Sequence, residues 1–70
     1  MEFVDETTVS RRIKAFRVLK GYTQAEMAGK LGITTQVYAK YEHKPYSIPL
    51  RKLTPIADTL GCKVADFFVA

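Results

Sequence analysis

The sequence predicts a compact all-α domain of five short helices around one core. Apolar side chains recur at helical spacing in several segments, whereas the alternation typical of strands is nearly absent. Three of these segments are followed by a glycine, the residue that most often ends a helix: Gly21, Gly32 and Gly61. The chain of 70 residues has the size of one domain, and its hydrophobic fraction of 47% is too high for a disordered chain.

The first helix is expected to begin at Thr7 or Thr8, because either hydroxyl can cap it. Gly21 is placed to end it. Residues 1–6 before this helix contain three acidic side chains and predict a flexible N-terminal arm. The buried stripe of the helix follows from its spacing and comprises Val9, Ile13, Phe16 and the stem of Lys20.

The second and third helices are expected to be joined by a tight turn at Gly32. Thr23 and Glu26 have the spacing of a capping box at the start of the second helix. Thr34 can cap the third helix, which is predicted over residues 34–43. Two short helices joined by a turn of three or four residues that contains glycine form a helix-turn-helix unit. The buried face of the second helix is predicted to be Met27, Ala28 and Leu31.

The third helix is predicted to present a polar face to a nucleic-acid groove. Tyr38 and Tyr41 must face inward if the unit is to pack, which leaves a face of little bulk: Thr35, Gln36, Ala39, Lys40 and His43. Glutamine can bond to adenine, lysine to guanine, and the methyl group of threonine or alanine can contact that of thymine. The alternative is an ordinary solvated helix face.

The last two helices are expected after a loop that contains two prolines. Pro55 predicts the start of the fourth helix, with the cap at or just before Thr54, since proline is tolerated in the first turn. Leu50 and Leu53 lie in the segment just before this helix and are expected to pack against the core. Its inward face is predicted as Ile56, Ala57 and Leu60, and a fifth helix over residues 64–68 brings Val64 and Phe67 to the core.

The charge distribution favours a polyanionic partner. Residues 11–52 hold ten lysines and arginines but only Glu26 and Glu42, which leaves that stretch at +8. Such a field attracts nucleic acid or an anionic membrane surface, and the alternative is a solvated basic surface that serves solubility. No apolar run approaches the about 20 residues that a membrane span requires. Double-stranded DNA is the expected partner, and no membrane partner is expected.

Catalysis and metal binding are disfavoured by the same composition. His43 and Cys62 are the single members of their residue types, so they provide neither a nucleophile–base pair nor a cluster of metal ligands. The sequence therefore predicts no enzyme, no metal, no cofactor and no small-molecule substrate. A lone cysteine also excludes a disulfide framework and favours the cytoplasm.

The segment TQAEMAGKLGITTQVYAKYE, residues 23–42, resembles the helix-turn-helix of phage repressor and Cro-type regulators, the Xre family. The likeness extends over residues 9–68. Matching positions in the first three helices are Ile13, Phe16, Arg17, Lys20, Gly21, Gln24, Ala25, Glu26, Met27, Ala28, Leu31, Gly32, Ile33 and Glu42. Those after the third helix are Leu53, Ile56, Ala57, Leu60, Gly61, Asp66 and Phe67.

The resemblance implies a lambda-repressor-like fold and a sequence-specific transcriptional regulator, most often a phage or bacterial repressor, that reads the major groove. It places base-reading side chains at Thr35, Gln36, Ala39 and Lys40. It implies contacts to the DNA backbone from Thr23, Gln24, Thr34, His43, Lys44, Tyr46 and Ser47. It further implies a structural ion pair between Arg17 and Glu42, a homodimer and a palindromic operator.

Three positions depart from the family pattern, and the end of the chain leaves two readings open. Tyr38 stands where the family usually has Ile or Val, Lys44 where it commonly has Gly, and Val37 replaces an often polar residue and is expected to be partly exposed. The apolar C-terminal cluster of Phe67, Phe68 and Val69 is expected to serve partly as core and partly as a dimer seam. Alternatively, the tail folds back onto the domain.

Some relatives are antitoxins or adaptors whose main role is to bind a protein, and this is the alternative function.

Overall fold

The computed structural model describes residues 4–69 and contains no strand within them. The prediction of an all-α domain is confirmed. The elements are four α-helices, α1 (Glu6–Leu19), α2 (Gln24–Leu31), α3 (Thr35–His43) and α4 (Leu50–Leu60), and two 3₁₀-helices, Pro45–Ser47 and Val64–Phe68. The predicted fifth helix is thus a 3₁₀-helix, and a further 3₁₀-turn lies in the segment that was predicted as a loop.

The start of α1 differs from the prediction because an acidic side chain caps it. Asp5 accepts a hydrogen bond from the backbone N–H of Thr8 at 2.8 Å, and Glu6 is the first helical residue. This hydrogen bond lowers the pKa of Asp5, which is consistent with a carboxylate at a helix N-terminus. The cap predicted at Thr7 or Thr8 is therefore wrong by two or three residues. Of the predicted arm over residues 1–6, residues 1–3 lie outside the described residues.

The turn between α2 and α3 has the predicted form. The Thr23 hydroxyl accepts from the Glu26 N–H, and the Glu26 carboxylate accepts from the Thr23 N–H, both at 3.0 Å. Gly32 ends α2 with φ of 69°, a left-handed conformation that costs residues other than glycine about 1–2 kcal/mol. The Thr34 hydroxyl then accepts from the Val37 N–H at 3.2 Å and caps α3. The prediction of a break at Gly32 is confirmed.

The fourth helix begins five residues earlier than predicted. It starts at Leu50, so Pro55 lies inside the helix rather than in its first turn. Proline there lacks the N–H that would bond to the carbonyl of Arg51, a loss of one backbone hydrogen bond. The helix nevertheless forms because it buries an apolar face made of Ile56, Ala57 and Leu60. Leu50 is 85% exposed and does not pack against the core, contrary to the prediction.

Every α-helix contributes to the core, as do the second 3₁₀-helix and the residue that follows the first. Its buried members are Val9, Ile13, Met27, Ala28, Tyr38, Ile48, Ile56, Ala57, Leu60 and Phe67. Phe67 is fully buried and lies edge-on against Phe16, with ring centroids 6.0 Å apart. The prediction that Phe67 reaches the core is confirmed, so the part of the cluster left for a dimer seam is Phe68 and Val69, which are exposed.

We expect Gly29→Ala to stabilise the domain by about 1 kcal/mol, which would raise the melting temperature by roughly 4–8 °C. Gly29 lies inside α2 without positive φ, and a Cβ built there meets no atom within 4 Å. Thermal denaturation followed by circular dichroism measures the shift. Gly32→Ala is the matched control and should be destabilising, because its left-handed backbone disfavours a side chain.

Candidate nucleic-acid interface

Helix α3 presents its polar side chains to solvent. Thr35, Gln36, Lys40 and His43 are exposed, whereas Ala39 is half-buried. The opposite face carries Tyr38 and Glu42, which are buried, and Tyr41, which is half-buried. The structure thus brings four of the five residues of the predicted polar face to one accessible surface.

A buried ion pair fixes the C-terminal half of α3 to the body of the domain. The Arg17 guanidinium donates from Nε to Glu42 Oε2 at 2.7 Å and from Nη2 to Oε1 at 3.0 Å. Its Nη1 donates to the Tyr22 carbonyl at 2.7 Å. Arg17 therefore links α1 both to α3 and to the connection before α2. Such bidentate pairing constrains the direction of both side chains.

Glu42 has two further contacts that sequence reasoning missed. Gln24 Nε2 donates to Glu42 Oε1 at 3.3 Å, and the Ser10 hydroxyl donates to the Glu42 carbonyl. Glu42 therefore connects α3, to which it belongs, with both α1 and α2. No sequence signal points to Ser10, because a serine beside an apolar stripe is common on any amphipathic helix.

The Glu42 carboxylate stays charged although it is buried. Burial alone raises its pKa, but the hydrogen bonds and the positive charge of Arg17, together with the nearby Tyr38 hydroxyl, outweigh burial and lower the pKa below the ordinary value. The hydrogen bond to Glu42 likewise raises the pKa of Arg17. The two shifts have the directions expected of a pair that stabilises its own charged forms.

Tyr38 is accommodated in the core in place of the smaller residue of the family pattern. Its side chain is fully buried, and burial raises the pKa of its phenol, with the neighbouring Glu42 carboxylate adding to the rise. The hydroxyl lies near that carboxylate but makes no hydrogen bond of standard geometry within residues 4–69. Tyr38 therefore acts as the central apolar contact of α3, with its polar end directed at the ion pair.

Four of the seven predicted contacts to the DNA backbone lie at or after the end of α3, and they fall into two pairs. His43 and Lys44 are exposed at the end of α3, and no salt bridge to either is present in the described part of the chain. The hydroxyls of the others are engaged within the protein: Tyr46 donates to the Val4 carbonyl at 2.7 Å, and Ser47 to the Lys44 carbonyl at 2.6 Å. Those two hydroxyls have no hydrogen left to donate to a phosphate in this arrangement.

The three contacts predicted at the starts of α2 and α3 each keep a hydrogen that can be donated. The hydroxyls of Thr23 and Thr34 accept the capping hydrogen bonds but keep their own hydrogens. Gln24 uses one amide hydrogen on Glu42 and keeps the second. All three can therefore still donate to a phosphate near these helix N-termini, where backbone N–H groups also favour an anion.

Other kinds of site find no support in the described chain. Residues 4–69 contain no group of three or more His, Cys, Asp or Glu side chains placed to hold a metal ion. None of the helices in this range has the length and apolar character that crossing a bilayer requires.

Comparison with known sequences identifies the family. A family described as helix-turn-helix matches residues 13–67. The chain is 46% identical over 58 residues to the SPbeta prophage-derived uncharacterized HTH-type transcriptional regulator YonR of Bacillus subtilis (strain 168), covering 83% of this chain and 53% of that protein. It is 31% identical over 61 residues to the uncharacterized HTH-type transcriptional regulator MJ0272 of Methanocaldococcus jannaschii, covering 87% and 92%. The chain thus spans about half the length of the first relative and nearly all of the second.

Solved structures share the fold. The clp gene regulator ClgR from Corynebacterium glutamicum superposes with a TM-score of 0.76 at 23% identity, over 86% of this chain and 64% of that chain. Hydroxypropylphosphonic acid epoxidase from S. wedmorenis gives 0.81 at 25% identity, over 91% and 34%. The second likeness covers only a third of the epoxidase chain and is a likeness of fold. The family match over residues 13–67 and the sequence likeness to MJ0272 show that the chain belongs to the helix-turn-helix family of the phage repressor and Cro type.

Proposed function

We propose that this chain is a sequence-specific DNA-binding transcriptional regulator that inserts α3 into the major groove. The observation that carries the proposal is the polar face of α3, exposed on a helix that the buried Arg17–Glu42 pair holds in one orientation. A reading helix must be rigid, because each base contact requires a defined position of the side chain. The role is binding rather than catalysis, exerted where DNA is located, in the cytoplasm.

Different residues on this face supply different kinds of contact. Gln36 is suited to adenine N6 and N7, and Lys40 to guanine O6 or N7. The Thr35 methyl group can meet a thymine methyl, whereas the half-buried Ala39 has less surface to offer. Lys44 and His43 contact phosphates at the end of α3, and the remaining amide hydrogen of Gln24 does so at the start of α2.

The regulator is further proposed to act as a homodimer on a palindromic operator, most simply as a repressor. Phe68 and Val69 are 42% and 53% exposed at the C-terminal end of the chain's described part and provide apolar surface for a seam. Two reading helices related by a twofold axis meet half-sites about 34 Å apart. One such module alone forms a small interface and binds modestly, so dimerisation raises the affinity.

A protein-binding role, as an antitoxin or adaptor, is the second candidate. Apolar side chains outside α3 favour it: Val18 is 58% exposed, Leu19 82% and Leu50 85%.

Selection of binding sites from random DNA with the purified protein separates the two functions. A regulator enriches one consensus and loses affinity steeply with salt, whereas an adaptor enriches none.

We expect Gln36→Ala to relax preference at one base position of the selected site, at a cost of about 1–3 kcal/mol in discrimination. Lys44→Ala should weaken all sequences about equally and reduce the salt slope by about 1. Fluorescence anisotropy against matched and mismatched duplexes measures both. Lys44 is a cleaner control than Gln24, since Gln24→Ala also removes a hydrogen bond to Glu42. Equal losses on all sequences for Gln36→Ala would contradict the assigned base contact.

A further inference from the structure

One apolar side chain on α3 is left partly open to solvent. Val37 is 37% exposed and is not a member of the buried core. Its position is well defined, because its N–H donates to the Thr34 hydroxyl at the cap of α3. The valine is therefore held in the first turn of the helix with about a third of its surface accessible.

Helix geometry places Val37 beside the predicted base-reading residues. It directly follows Gln36, and Lys40 lies one turn further along the same side of α3. With 3.6 residues per turn, Val37 and Ala39 lie on opposite flanks of the exposed face. Ala39 is half-buried and Val37 exposed, so Val37 offers the larger apolar surface of the two.

We propose that Val37 is a specificity-determining residue that recognises a thymine through its C5 methyl group. The proposal rests on the function proposed above. The edge of thymine presents a methyl group in the major groove, and apolar side chains discriminate this base by contacting it. Single exposed apolar residues are common on protein surfaces. Val37 differs from such residues in lying in the N-terminal turn of the helix whose N-terminal residues contact bases in this type of motif.

The test removes the methyl group from the DNA and the valine methyls from the protein. Each thymine of the selected site is replaced in turn by deoxyuridine, and affinities are measured for the wild type, Val37→Ala and Val18→Ala. At one thymine per half-site we expect the wild type to lose about fourfold in affinity, the value of one buried methyl group. Val37→Ala should lose this sensitivity at that position only and bind thymine and deoxyuridine equally. Val18→Ala, an exposed valine of α1, should behave as the wild type.

Three results would overturn the proposal while leaving the proposed function standing. One is a selected site without a preferred thymine, and another is the absence of any deoxyuridine penalty in the wild type. The third is a deoxyuridine penalty that persists unchanged at every position in Val37→Ala.

Thr35→Ser identifies deoxyuridine penalties that belong to the Thr35 methyl group instead. Failure to enrich any site would reject the proposed function itself, and the valine assignment with it. Melting curves of Val37→Ala should match those of the wild type within a few degrees, since Val37 lies outside the core.

Discussion

Glu42→Ala is expected to lower the free energy of unfolding by about 3–5 kcal/mol, because it leaves the Arg17 guanidinium buried without its counter-charge. A domain of this size has roughly 4–10 kcal/mol in total, so the variant should be close to unfolding at 37 °C. Urea denaturation followed by circular dichroism measures the loss.

Lys40→Ala is the matched control for this change. Lys40 is exposed on the same helix, and exposed substitutions usually change stability by less than about 0.5 kcal/mol. The double variant Arg17→Met, Glu42→Leu should recover much of the loss, since it removes both buried charges together. Equal losses for Glu42→Ala and Lys40→Ala would show that the ion pair does not hold α3.

The effect of Glu42 also has a defined pH dependence. Its pKa in the folded state lies below the ordinary value of 4.5, so its stabilising contribution is complete above about pH 4.5 and is lost as the pH falls through the folded-state pKa. The difference in stability between the wild type and Glu42→Gln should therefore narrow under acidic conditions. A constant difference between pH 7 and pH 3 would assign the loss to packing rather than to the charge.

Phe67→Ala is expected to destabilise the domain by about 3–5 kcal/mol through the cavity it leaves and the lost contact with Phe16. Phe68→Ala should cost much less, because Phe68 is 42% exposed. Thermal melts at several protein concentrations measure both. The loss in Phe67→Ala should be the same at all concentrations, since this side chain lies inside one chain.

The pair of phenylalanines also tests the proposed dimer seam. Phe68→Asp should shift the molecular mass measured by light scattering towards the monomer while leaving the melting temperature of the monomer nearly unchanged. A stable, folded Phe67→Ala that fails to dimerise would contradict the assignment of Phe67 to the core.

Local chemistry explains why the helix-turn-helix was predictable. The capping box of Thr23 and Glu26, the left-handed Gly32 and the cap at Thr34 each depend on residues within three or four positions of one another. Because these hydrogen bonds join residues close together in the chain, the bounds of α2 and α3 follow from the order of residue types. The polar face of α3 follows from the same periodicity.

The misplaced elements are those where distant residues outweigh local preference. Pro55 marks a helix start by its own chemistry, but the apolar face of α4 already begins at Leu53, which packs against the core one turn before Ile56 and Ala57. Before α1 the residue types allow several caps, since Asp5, Thr7 and Thr8 can all cap a helix. The path of the chain in the folded structure selects Asp5.

The sequence by itself determined the helical class, the break at Gly32 and the exposed character of α3, because periodicity, capping and glycine conformation act over a few residues. Only the tertiary structure decided that Ser10 and Gln24 join Arg17 at Glu42, that Gln24 turns one amide hydrogen inward, and that Phe68 and Val69 stay outside the core. These outcomes depend on how α1, α2 and α3 cross and on the path of the C-terminal segment. Contacts between residues that are 18 to 25 positions apart in the chain produce no periodic pattern in the sequence from which they could be predicted.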